Sequence, residues 1–114
     1  MKLVHKKKVL AGNVVLYKNI FSRGWGLRFS MPIKDKALVF VSPDESIFNS
    51  SIDMFFVFFP IDVLWLDSKC EVVDVKQNVR PFSLPIKPKS PAKFVVELPA
   101  GSVKEVKIGD KVIF

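Results

Sequence analysis

The stretch "MFFVFFPIDVLWLD", residues 54–67, decides how this chain is read: it is the most apolar segment, yet Pro60, Asp62 and Asp67 interrupt it. A membrane helix is excluded by length. The apolar run from 54 to 61 falls far below the roughly 20 residues a span needs, and Asp53 and Asp62 flank it. As strands, the segment is apolar on both sides. Along 54–59, Met54, Phe56 and Phe58 alternate with Phe55, Val57 and Phe59; along 61–66, Ile61, Val63 and Trp65 alternate with Asp62, Leu64 and Leu66. A strand apolar on both faces has to be covered on both faces. One face therefore packs the main core, and the other is covered by a loop, a helix or a partner, or lines a pocket.

Outward from this stretch the same short β-branched and aromatic runs recur, separated by turn residues. The pattern predicts strands at 3–10, 14–17, 37–42, 54–59, 61–66, 71–75, 93–98 and 111–114. Two short helical turns are expected, at 18–25 and at 102–106, the second with Ser102 as cap and Glu105 three residues on. The segment "RPFSLPIKPKSP", with prolines 81, 85, 88 and 91, reads as an irregular connection that covers the core, because proline donates nothing to a ladder. A polyproline ligand is the alternative reading of its spacing. With 114 residues and no repeat, the chain is expected to be one domain, 1–114. The expected fold class is mainly β, a sandwich or jelly-roll-like small barrel with one or two short helices.

Composition narrows the functional classes. Cys70 is the only cysteine, so no internal disulfide forms and a reducing, cytoplasmic setting is expected, in line with the lack of a secretory apolar run near the first residues. His5 is the only histidine, which leaves no ligand set for zinc or copper, and no phosphate loop, dinucleotide fingerprint or nucleophile elbow occurs. We expect no cofactor and no metal. One glutamine against fifteen lysines resembles proteins of hot habitats.

The net charge of +7 is unevenly spread: residues 1–34 carry eight basic side chains and no acid, and 75–96 is a second acid-free basic segment. Lys6, Lys7, Lys8, Lys87, Lys89 and Lys93 would form one positive face if the segments lie side by side, opening a contact with nucleic acid. The structural alternative is that lysines protect exposed sheet edges.

The order of motifs resembles the family called domain of unknown function 192. Its members similarly run from a Met-containing apolar strand into a Pro-hydrophobic-Asp tripeptide and a strand ending in Leu-Asp, and then to a Leu-Glu-Leu-Pro-Ala-Gly-like strand end and a Gly-Asp pair. Here these are Met54, Pro60-Ile61-Asp62, Leu66-Asp67, Val96-Glu97-Leu98-Pro99-Ala100-Gly101 and Gly109-Asp110. "SRGWGLRFS" matches less closely, and Asp53, Phe56 and Val57 depart from the family's polar residues. The resemblance implies a compact, mainly β, sandwich-like domain and brings no established activity.

Within that frame Asp62 is the first candidate for a site. Its strand neighbours on the same side, Leu64 and Leu66, are apolar, so its carboxylate must be paired or hydrogen-bonded. Arg23, Arg28 or turn N–H groups are the expected partners. A structural Asp62 would tie its strand to a neighbouring segment. A functional one would share a small polar pocket with Arg23, Trp25 and Met54, in a non-enzymatic module that takes a small ligand or a protein partner, with no membrane contact. Catalysis through Asp62, alone or with the embedded Glu97, is the third reading.

Overall fold

The computed structural model describes residues 1–18, 34–52, 54, 57–82 and 85–114. The expected helical turn at 18–25, with Arg23 and Trp25, and Arg28 beyond it, lie outside the described residues apart from Lys18. Eight strands form among the described residues: β1 (Leu3–His5), β2 (Lys8–Ala11), β3 (Asn13–Tyr17), β4 (Lys36–Ser46), β5 (Ile61–Leu66), β6 (Val72–Val79), β7 (Ala92–Pro99) and β8 (Val112–Ile113). They make a five-stranded sheet in the order β3-β4-β7-β5-β6 and a three-stranded sheet in the order β2-β1-β8. All pairings are antiparallel except β3 with β4.

β5 organises the molecule. It lies between β6 and β7, and all six of its residues are buried. Ile61, Val63 and Trp65 enter one cluster with Leu38, Phe40, Met54, Val57, Phe59 and Val95; Leu64 and Leu66 enter a second with Leu3, Ala37, Val39, Val96, Leu98 and Val112. The small sheet supplies Leu3, Ala11 and Val112 to the second cluster. The fold is thus a two-sheet, sandwich-like domain and not a closed barrel.

The first cluster has no second sheet over it among the described residues. Its cover is irregular chain: Ile52, Met54, Val57 and Phe59, with Ile86 of the proline-rich connection packed beside them. This corrects the expected strand at 54–59. The Val57 N–H turns back to the Met54 carbonyl at 3.2 Å, and that carbonyl also accepts the Phe82 N–H at 2.9 Å, so these groups serve turns and not a ladder. The proline-rich connection does act as a cover. Ile86 and Ile52 exchange both backbone hydrogen bonds, at 2.7 and 3.0 Å.

No helix forms at 102–106. Gly101, at φ 90°, reverses the chain, the Ser102 N–H returns to the Pro99 carbonyl, and the Val103 N–H is taken by Asp62, so the segment settles as successive turns. The predicted strand at 3–10 is likewise divided, by a turn with Lys6 at φ 52°. Gly12 carries the chain from one sheet to the other. Its N–H donates to Asp35 Oδ1 at 2.8 Å, and a Cβ at this position would collide with the same carboxylate.

Trp65 fastens the irregular cover to β5. Its indole N–H donates to the Ser50 carbonyl at 2.7 Å, out of contact with water. Replacing Trp65 by Phe strands that carbonyl and leaves unfilled volume, for an expected loss of about 2–4 kcal/mol in denaturant unfolding.

Candidate functional site

Asp62 occupies the one polar position of β5 and is fully buried on the side of the second cluster. Opposite it the β5–β6 register slips: Ile61 pairs with Val79 but Val63 with Lys76, and Asn78 in the resulting bulge stands at φ 52°. A bulge removes an N–H from the ladder. Asp62 Oδ1 accepts it, from Asn78 N at 2.9 Å, while Oδ2 accepts Val103 N at 3.1 Å from the turn after β7. The carboxylate therefore fastens an edge-strand bulge and a remote turn to the central strand.

The sheet separates Asp62 from Met54. Met54 is buried in the first cluster, with Ile61, Val63 and Trp65, whereas Asp62 shares the opposite face with Leu64 and Leu66. Met54 belongs to no strand, so these two candidates do not meet across a strand pair. Glu97, by contrast, is on the Met54 side. It pairs in register with Val63 and Leu38, both members of the first cluster, and it is 8% exposed. Asp62 is paired with the next residue, Leu98, so the two carboxylates are neighbours in register on opposite faces of the sheet. The alternation in "FVVELP" carried this signal, because Glu97 has the parity of Val95, a first-cluster residue.

Around Met54 the surface is aromatic. Phe58 and Phe82 meet edge to face with centroids 5.1 Å apart, and they stay 59% and 47% exposed although the Phe82 N–H is bonded to Met54. Tyr17, at the end of β3, stacks on Phe40 of the same cluster at 4.9 Å, and the connection that carries Arg23 and Trp25 begins beyond it.

The other titratable groups hold turns. Asp74, buried and not foreseen as important, accepts Val75 N at 2.8 Å and Lys89 N at 3.0 Å, which ties the proline-rich connection to β6. Asp67 Oδ1 accepts Lys69 N and Glu71 N, closing the turn in which Cys70 adopts φ 63°. Burial pushes the Cys70 thiol up, opposite to what a nucleophile needs. His5 Nε2 lies 2.7 Å from Asp110 Oδ2, which also accepts Lys107 N at 3.0 Å. The described residues hold no group of three or more His, Cys, Asp or Glu able to bind a metal, and no helix long and apolar enough to cross a membrane.

The basic residues do not form a single patch. Lys6, Lys7 and Lys8 belong to the small sheet over the second cluster, whereas Lys87 and Lys89 belong to the connection that covers the first. Lys93 Nζ donates to the Pro43 carbonyl at 3.3 Å.

Fold and site together define a small two-sheet β domain whose characteristic acids are structural fasteners. The chain belongs to the DUF192 family, described as "Uncharacterized ACR", whose model matches residues 2–114. A UPF0127 protein of Thermococcus sibiricus is 41% identical over 109 residues, covering 94% of this chain and 69% of its own. One from Pyrococcus horikoshii is 38% identical over 114 residues, covering 96% of each. Both come from thermophilic archaea, as the lysine-rich, glutamine-poor composition suggested. A solved structure from Novosphingobium aromaticivorans, described as a protein of unknown function, shares the fold with a TM-score of 0.79 at 21% identity, over 89% of this chain and 74% of its own.

Two outcomes follow from these geometries. Asp62→Asn turns an NH₂ group toward one of two backbone N–H donors, and denaturant titration is expected to show a loss of about 2–3 kcal/mol. Asp110 is held below the usual carboxylate range, first by the His5 hydrogen bond and then by the Lys107 N–H. A depressed folded value stabilises the fold fully above the unfolded carboxylate value of about 3.9 and is lost as pH falls through the folded one. The stability gap between the native chain and Asp110→Asn is therefore expected to be constant near neutral pH and to close in acid.

Proposed function

We propose that the chain is a non-enzymatic binding module whose contact surface lies on the Met54 side of the main sheet. Its apolar wall is Met54 with the Phe58–Phe82 pair, and its acidic anchor is Glu97. The observation that carries this reading is the exposed aromatic pair bonded through the Phe82 backbone to Met54, on the sheet face that also holds Glu97. Exposed aromatics beside a buried polar group are the ordinary make-up of a ligand surface. The partner is a small molecule or a protein segment with an apolar body and a polar end.

The binding reading is preferred over catalysis because Asp62 is held by the backbone and stands on the other side of the sheet from Glu97. Both oxygens of Asp62 face backbone donors, and Asp62 and Glu97 point away from one another across the sheet. Asp62 enters this proposal as a positioning residue that keeps β5, β6 and the turn after β7 in register.

A residue-resolved NMR titration with sugars, nucleotides, small acids and short oligonucleotides tests it. Shifts are expected at Phe58, Phe82, Met54 and Glu97, with Asp62 little changed. For the ligand so found, Glu97→Gln and Phe58→Ala are each expected to weaken binding by about tenfold or more, with unfolding stability moving by less than about 1 kcal/mol in Phe58→Ala, whose ring is mostly exposed. Shifts gathered on the far side of the sheet, or full affinity in Glu97→Gln, would overturn the proposal.

A further inference from the structure

The three-stranded sheet turns Leu3, His5 and Val112 inward, which sends Val4, Val9 and Ile113 outward. Register places them in one row, since Val4 is paired with Val9 on one side and with Ile113 on the other. Val9 is 47% exposed and Ile113 63% exposed; β2 is the outer edge on one side, while the far side of β8 is bonded to the chain at 70–72, with the Val112 N–H donating to the Cys70 carbonyl at 3.0 Å. Lysines surround the row: Lys2 before β1, Lys6 and Lys7 in the turn and Lys111 before β8, with Lys8 at the β2 edge paired in register with the inward His5. All five are exposed, and none forms an ion pair with a described residue. The nearby acids are few. Asp110 is turned onto His5 and the Lys107 N–H, and half-buried Glu71 bridges to Lys111 through the backbone.

We propose that this outer face docks the protein onto anionic lipid bilayers. Charge complementarity selects the partner: an anionic interface attracts unpaired lysines and offers an apolar phase to branched aliphatic side chains, without demanding a shaped counter-surface. Lysine stems reach past an apolar patch while their ammonium groups remain at the headgroups. Nucleic acid suits this face less well, because Val and Ile have no ring on which a base stacks and the row between the lysines would meet only water or phosphate. Ile108, in the turn before β8, is likewise 57% exposed. The surface lies on the opposite side of the main sheet from the Met54 face, so it is independent of the binding reading above.

The test is flotation of the full chain with phosphatidylcholine vesicles, with and without phosphatidylglycerol. Binding is expected only with the anionic lipid, and it should weaken strongly as salt rises from about 0.1 M to about 0.5 M. Each of Lys6→Gln and Lys111→Gln is expected to lower partitioning about fivefold, as for one lysine at an anionic surface. The Val9→Thr/Ile113→Thr variant keeps the charge and the β-branched side chains, and it should also bind more weakly at both salt concentrations, with an unchanged circular dichroism spectrum. Equal flotation with both lipids, or none, overturns the proposal. So does binding that ignores the threonine variant and is abolished by an oligothymidine competitor, which would mark a general polyanion surface. Closure of the face by a second copy, seen as a lysine-dependent dimer in ultracentrifugation without lipid, overturns it as well.

Discussion

A strand of six residues with every side chain out of water imposes a double obligation. β5 offers Ile61, Val63 and Trp65 to one side and Leu64 and Leu66 to the other, and neither set can be left to solvent. The chain meets the obligation in two different ways. A small sheet built from residues far apart in sequence closes one side, and irregular chain pinned by the Trp65–Ser50 and Ile52–Ile86 hydrogen bonds closes the other. The polar residue within β5 follows the same logic. A buried carboxylate is tolerable where the backbone supplies donors that have lost their ladder partners, and the bulge at Asn78 and the turn at Val103 supply them.

Much of this was legible in the sequence because it depends on alternation. The two-sided burial of 61–66, the β-rich class, the cover formed by the proline-rich connection and the burial of Asp62 all follow from which neighbours are apolar, whereas the sequence left the partner of Asp62 open among Arg23, Arg28 and turn N–H groups. The irregular backbone at Met54 and at 57–59 did not follow. Six apolar residues in a row fit a strand of either orientation, and what decides against one is tertiary: the Met54 carbonyl is claimed by Val57 and Phe82. The division of 3–10 and the turns at 102–106 were hidden for a related reason, since a positive φ at Lys6 and the capture of the Val103 N–H by Asp62 depend on partners distant in the chain.

The candidate site was legible by composition and not by side. Asp62 and Glu97 look alike in sequence, each a single acid among aliphatics, and only strand register assigns them to opposite faces. The family motifs take on a physical meaning through the same geometry. Asp62, Asp67 and Asp110 each accept backbone N–H groups, Gly101 and Gly109 stand at positive φ where those turns need them, and Leu98 fills the second cluster. Such a signature reports architecture. Residues that differ in their contacts with a partner belong on the surfaces around it, among Phe58, Phe82 and the outward side of the small sheet.

The small sheet joins β1 and β2 to β8, strands roughly a hundred positions apart, and His5 to Asp110. During synthesis the Leu64–Leu66 side of the main sheet thus stays uncovered by β8 until the residues around Ile113 have left the ribosome. The apolar face waits, half clothed by β1 and β2, on a strand made long after them. Because β1 and β8 are direct antiparallel neighbours, a chain in which a short linker ran from β8 into β1 would turn that late event into a local hairpin and could seal the same core early.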